Sequence, residues 1–199
     1  MNVYIWTDQW APKNTVAYYK FDNLNDSSGN SRNLSVGGTV SYTESGGKYI
    51  YFNSAYTNNI SMPYKSDGYT INLWGKYVSN KYLLDFQPST SANQWNRFQY
   101  LSSTSLYIGR GITVPNMSLW YNMVIINLNN KSNLYMNEYK YADLTRDTTA
   151  QYFRLNSVYT VSSYSNYAPN YMSNLIIENT ARTPEQVAYY NQTKSLYIS

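Results

Sequence analysis

From Val16 onward, short apolar runs alternate with clusters of Gly, Asn, Asp and Ser, a pattern of strands separated by turns. VAYYKF is the first run, followed by NLSV, by VSY after Gly37-Gly38, and by KYIYFN after Gly46-Gly47. NISMPY, KYLLDF, NRFQYL and SLYIG continue the series. YTINLWGKY alternates cleanly, with Tyr69, Ile71 and Leu73 on one face and Thr70, Asn72 and Trp74 on the other. WYNMVIINL is apolar almost throughout, as a strand covered on both faces should be. SNLYMNEYKY pairs with it through Asn129-Asn130-Lys131 as a hairpin turn. A looser segment, Ala142 to Ser163, precedes the last strong strand, YMSNLIIEN.

The period changes once. In TARTPEQVAYYNQ, Thr183 is the expected N-cap, Pro184 the first helical residue and Gln186 the returning partner of a capping box. A helix of two or three turns follows, burying Val187 and Tyr190. Many short strands and one terminal helix predict an all-β chain, a sandwich of two antiparallel sheets in jelly-roll form. No internal repeat or linker divides it. Residues 1 to 14, with Trp6 and Trp10 around TDQ and Pro12 beyond, stand apart as an N-terminal arm, and 15–199 form one domain.

Composition agrees and then excludes. Charged residues are 13% of the 199, about half the roughly 25% usual in soluble proteins, while Tyr occurs 25 times. Tyr and Thr suit pleated half-buried surfaces, and Asn, Ser and Gly suit turns. The net charge of +4 reflects scarce acids, with Lys and Arg scattered rather than clustered, so nucleic acid is not the expected partner. With no Cys and no His, disulfides, thiolate metal sites and the usual triads are excluded. MNVYIWTDQWAPK does not read as a signal peptide, and no apolar run approaches the roughly 20 residues that span a bilayer.

The order VAYYKF–DSSGN, GGKYIYFN, YTINLWGKY, WYNMVIINL–NLYMNEY and YMSNLIIENTARTPEQV resembles the laminin-G-like, concanavalin A-like lectin/glucanase domains, from about Val16 to Asn191. The resemblance implies a concanavalin A-like jelly roll. It also implies that Asp26 and Asn30, in NDSSGNSRN, occupy a turn that in some members shares a structural Ca²⁺ with an acid on the closing strand. That acid is missing here, where Ser173 and Asn174 stand in its place. Glu138 replaces the hairpin glycine and Asn122 the usual His. The favoured expectation for Asp26 and Asn30 is therefore side-chain-to-backbone turn chemistry, with calcium the alternative and no other cofactor.

The same fold includes glycoside hydrolases, which need two carboxyls about 5 to 9 Å apart. No alternating acidic run exists; Asp22/Asp26 and Asp143/Asp147 lie in turn-like sequence, and Asp85 stands alone in YLLDFQ. The expectation is a non-enzyme. Aromatic-polar stretches Thr160 to Tyr171 and Ser89 to Trp95 read as loops, which makes Trp95, Tyr164, Tyr167 and Tyr171 the candidate ligand contacts. Trp74 and Trp120 are expected in the core. Two settings fit such a module. The first is a phage virion surface (a head-fibre, tail or decoration component), with Trp6 and Trp10 docking to the particle and a small symmetric oligomer pointing outward. The second is a stand-alone lectin that reaches the exterior by an unseen route. The expected partners are glycans, virion proteins or both, without membrane insertion.

Overall fold

The computed structural model describes residues 14–43, 49–57, 60–61, 68–76, 78, 82–87, 97–107, 111–129, 131–145, 152–155, 158–160, 163–165 and 170–195. The strands begin with β1 (Thr15–Tyr19), β2 (Val36–Thr43), β3 (Tyr49–Thr57), β4 (Ile60–Ser61) and β5 (Tyr69–Lys76). β6 (Tyr82–Gln87), β7 (Arg97–Ser102), β8 (Ser105–Tyr107), β9 (Gly111–Thr113) and β10 (Tyr121–Leu128) follow. Then come β11 (Lys131–Met136), β12 (Tyr139–Thr145), β13 (Tyr152–Leu155), β14 (Val158–Thr160), β15 (Ser163–Ser165) and β16 (Asn170–Glu178). The helix α1 (Pro184–Ser195) closes the chain.

Two antiparallel sheets form a β-sandwich. The larger runs β12-β11-β10-β5-β16-β3-β2, with β1 also paired to β16; the smaller runs β4-β13-β6-β7-β8-β9. The period-2 alternation explains the stacking. Ile71 and Leu73 of β5, Met123 and Ile125 of β10, Ile50 and Phe52 of β3, and Leu175 and Ile177 of β16 turn inward. There they meet Leu83, Leu84, Phe98, Tyr100, Leu106 and Leu155 of the smaller sheet in one core. Each such fully buried side chain contributes about 1.5–3 kcal/mol by leaving water.

Some boundaries differ from those read in the sequence. NLSV is not a separate strand: Leu34 packs in the core from a loop, and β2 runs from Val36 through Gly37-Gly38, where Gly38 (φ 94°) absorbs a bulge. The looser segment contains β13 and β14, the former pairing with β6. At the β11–β12 turn it is Asn137, one residue before Glu138, that takes the left-handed backbone (φ 57°). Asparagine tolerates that region, so no glycine is needed. The β10–β11 hairpin pairs Leu128 with Lys131, which places Lys131 in the strand rather than the turn. Gly68 (φ 102°) has no such freedom, because a Cβ there would collide with the carbonyl oxygen of Asn127.

Candidate functional site

The Asp26 turn is a closed hydrogen-bond lock. Asp26 Oδ1 accepts from the amides of Tyr18 and Ser28, each at 2.9 Å. Its Oδ2 accepts from the Ser28 hydroxyl at 2.8 Å and the Arg32 amide at 3.1 Å. Partial burial alone would raise this carboxyl, but the bonds donated by Tyr18, Ser28 and Arg32 outweigh it and hold the pKa below the usual carboxylate value. Asn30 Nδ2 donates to the carbonyls of Thr15 (2.9 Å) and Val16 (3.1 Å) and to Ser28 Oγ (3.1 Å). An amide nitrogen thus stands where those oxygens converge, and both Asp26 oxygens are engaged.

On the closing strand, the Asn174 amide donates to Ser173 Oγ, and its oxygen accepts from the Tyr18 hydroxyl. Among the described residues no group of three or more His, Cys, Asp or Glu could hold a metal. Calcium wants six to eight oxygens, several of them carboxylates, and the described residues of the turn do not fit it. Its hydrogen bonds hold its own backbone and that of β1.

The second region is the outer face of the larger sheet, the side away from the sandwich core. Half of it is covered by α1. Thr183 caps that helix as expected: its hydroxyl accepts from the Gln186 amide (3.3 Å) and its own amide donates to Gln186 Oε1 (2.9 Å). Val187 packs on Val124, Ile126 and Tyr135. Tyr190 packs with Trp74 and Ile176. Trp74 is therefore buried as expected, but beneath the helix rather than between the sheets.

Under the same helix Arg182 donates through Nε and Nη2 to Glu178, at 2.5 and 2.9 Å, and through Nη1 to Asn72 Oδ1 at 3.4 Å. Its guanidinium lies 4.6 Å from the centre of the Tyr190 ring. Both ionic side chains are buried, at 7% and 3% exposure, and form a matched pair. Burial pushes the Tyr190 hydroxyl pKa far up.

The other half of this face presents aromatic rings. Lys76, Tyr171 and Tyr51 stand in direct register across β5, β16 and β3, and Ser41 of β2 continues the row. The rings of Tyr51 and Tyr171 stack with centres 4.6 Å apart and planes 26° from parallel. Tyr49 meets Tyr171 edge-on at 5.5 Å and meets Trp120 at 5.6 Å. Lys76 Nζ lies 5.9 Å from the centre of the Tyr171 ring. All five side chains are half-buried.

Their placement is rigid. Ile50, Phe52 and Met172, the inward neighbours of the tyrosines, are fully buried. Tyr121, next to Trp120, lies beneath Gly75, where a Cβ would come within 3.1 Å of the Tyr121 hydroxyl, and that hydroxyl bonds Tyr100 of the opposite sheet. The cluster offers ring faces, phenol hydroxyls and one cation. Of the described carboxylates, Asp26 is locked, Glu178 is held by Arg182 and Asp143 pairs with Lys140 at 2.6 Å, and none forms an ion pair with Lys76.

Of the four ligand contacts expected from sequence, the structure brings Tyr171 into this cluster, as the second residue of β16 rather than in a loop. Tyr164 lies in β15, its backbone paired with Tyr159; its side chain is outside the described residues, as are Trp95, Tyr167, Trp6 and Trp10. Asp85 pairs with Arg97 and Arg154 in the strand ladder of the smaller sheet, and its side chain too is outside the described residues. Trp120 is half-buried in the cluster and not part of the core between the sheets. Sequence reasoning did not single out Tyr49, Tyr51 or Lys76. The alternation Tyr49-Ile50-Tyr51-Phe52 was the available signal.

No family model and no curated protein matches the sequence. Solved structures do. Domain 4 of AbnA, an extracellular GH43 arabinanase from Geobacillus stearothermophilus solved in complex with arabinotriose, is 22% identical with a TM-score of 0.63, over 90% of this chain and 98% of that one. A structure of botulinum neurotoxin type C, described as entering cells through two ganglioside molecules, is 11% identical with a TM-score of 0.62, over 90% and 51% of the two chains. The binding domain of Paraclostridial Mosquitocidal Protein 1 is 17% identical with a TM-score of 0.62, over 90% and 52%. The chain spans about half the length of those toxin structures and nearly all of the arabinanase domain. At these identities the likeness is one of fold, a concanavalin-like jelly-roll sandwich.

Proposed function

We propose that this chain is a non-catalytic saccharide-binding module whose binding face is the open half of the larger sheet. The observation that carries the reading is the register-matched row Lys76–Tyr171–Tyr51, flanked by Tyr49 and Trp120. Tyrosine and tryptophan faces stack on the apolar C–H faces of sugars, and their polar edges bond hydroxyl groups. Rings fixed by buried neighbours lose little freedom on binding. The similar folds support the same reading, since one was solved with arabinotriose and another is described with gangliosides.

The setting we propose is a virion surface, with residues 1–14 as an attachment arm and 15–199 as a laminin-G-like domain. Its support is the sequence: low charge, the Trp6/Trp10 arm and the five laminin-G-like elements in order. A glycan array probed with the unmodified protein and with Tyr51→Ala tests the binding function. Specific binding by the first and not the second is expected. An empty array, or binding that Tyr51→Ala leaves intact, would overturn it.

A further inference from the structure

We propose that the saccharide recognised at this face is anionic, its carboxylate or sulfate taken by Lys76; the inference rests on the saccharide-binding reading above. The sheet itself supplies the comparison. On its outer face a cation lies over a tyrosine ring in the covered half, Arg182 on Tyr190, and again in the open half, Lys76 on Tyr171. The covered cation has its own carboxylate, Glu178, bonded at two oxygens. The open cation forms no ion pair with any described carboxylate, and its contact is the Tyr171 ring. The open half thus repeats the covered arrangement without the anion, in a chain of net charge +4.

Geometry then limits the ligand. Lys76 and Tyr171 are direct register partners, so their Cβ atoms stand roughly 4.5–5.5 Å apart. A sugar ring stacked on Tyr171 or Tyr51 therefore brings a substituent at its edge to the ammonium group. Lysine is a compact point charge with three rotatable donors, so it accepts a planar carboxylate or a tetrahedral sulfate alike. The aromatic face beside the ammonium adds to the attraction a cation finds there and leaves its charge to pair with an anion.

The test is an array of neutral, uronate-bearing and sulfated oligosaccharides, with poly-glutamate as an anion that is not a sugar. The best hit is then followed by calorimetry beside its methyl-esterified or desulfated counterpart. Uronate or sulfated glycans are expected to bind, the preferred one of the two distinguishing carboxylate from sulfate. Neutralising that group is expected to cost roughly tenfold, the scale of a charge-assisted hydrogen bond. Lys76→Gln should cost the same roughly tenfold for the anionic glycan, while Lys76→Arg retains binding. An unchanged melting temperature verifies that both variants fold. Binding confined to neutral glycans would overturn this inference and leave the saccharide reading standing. An array with no binding at all would overturn both. Equal binding of poly-glutamate would overturn the inference by showing attraction to charge alone.

Discussion

The two halves of one sheet face use the same alternating positions to opposite ends. Along β5 the outward residues are Thr70, Asn72 and Trp74 under the helix, then Lys76 in the open. At β10 the step is from Asn122, buried, to Trp120 just before the strand, half-buried; along β16 it is from Glu178 and Ile176, across a register shift between Met172 and Leu175, to Tyr171. In the covered half several polar atoms interlock, although Trp74 Nε1 and Asn122 Nδ2 lie buried without a hydrogen-bond partner among the described residues. Thr70 Oγ1 donates to the Thr180 carbonyl and accepts from the Arg182 amide, and Asn72 Nδ2 donates to Asn122 Oδ1 at 2.7 Å. In the open half the rings contact each other, and among the described residues no carboxylate pairs with the cation. One half is tied down by the helix, and the other is the face we propose for a ligand.

The largest expected effect lies under the helix. Arg182→Ala leaves Glu178 buried without its partner and should cost about 3–5 kcal/mol in urea unfolding. Arg182→Met combined with Glu178→Leu removes both charges and should recover most of that loss. A small cost for Arg182→Ala alone would break the contrast.

In the open half the balance should invert. Tyr171→Ala forfeits a stacked pair worth about 0.5–1.5 kcal/mol of stability, yet should weaken saccharide binding at least roughly tenfold, as truncating a central aromatic contact does. Calorimetry and thermal melting of the same sample check both. If stability falls steeply while affinity holds, Tyr171 belongs to the framework.

The Asp26 lock sharpens the contrast, being a polar cluster with every acceptor engaged. Asp26→Asn should cost about 1–3 kcal/mol, since an amide cannot accept all four bonds. The folded-state pKa of Asp26 is lowered, so its contribution is complete above the unfolded value of about 3.9 and is lost as pH falls through the lower folded value. The variant should flatten stability in that acid range alone. Adding calcium or a chelator should leave the melting temperature of the unmodified protein unchanged; a rise with calcium would contradict the lock.

The smallest effect falls at high pH. Burial pushes the Tyr69 hydroxyl up to about 12. Its contribution is complete below pH about 10, the unfolded value, and is lost as pH rises from there toward about 12. Tyr69→Phe should soften that alkaline loss in a pH series of unfolding curves.

Much of this was legible in the sequence for stated physical reasons. The capping box of α1, the burial of Val187 and Tyr190, and the alternation of β5 follow from local chemistry and periodicity. Even the bonds of Asp26 to backbone amides follow from turn residues that bond their own backbone. The open half was not legible. In Tyr49-Ile50-Tyr51-Phe52 both faces carry large side chains with apolar surface, so the pattern marks a strand without saying which face lacks a cover. That depends on where α1 lands, a tertiary fact set far along the chain. Tyr171 was reached from its aromatic-polar neighbourhood, and Trp120 was assigned to the core because a strand tryptophan flanked by apolar residues usually is.

The most direct measurement is amide chemical-shift mapping by NMR during titration with an array-selected saccharide. The perturbed amides should gather at Tyr49 to Tyr51, Lys76, Trp120 and Tyr171, while those of the Asp26 turn and α1 stay still. Shifts concentrated instead on the smaller sheet or around Asp26, with the open half unmoved, would contradict the assignment of this face as the binding site.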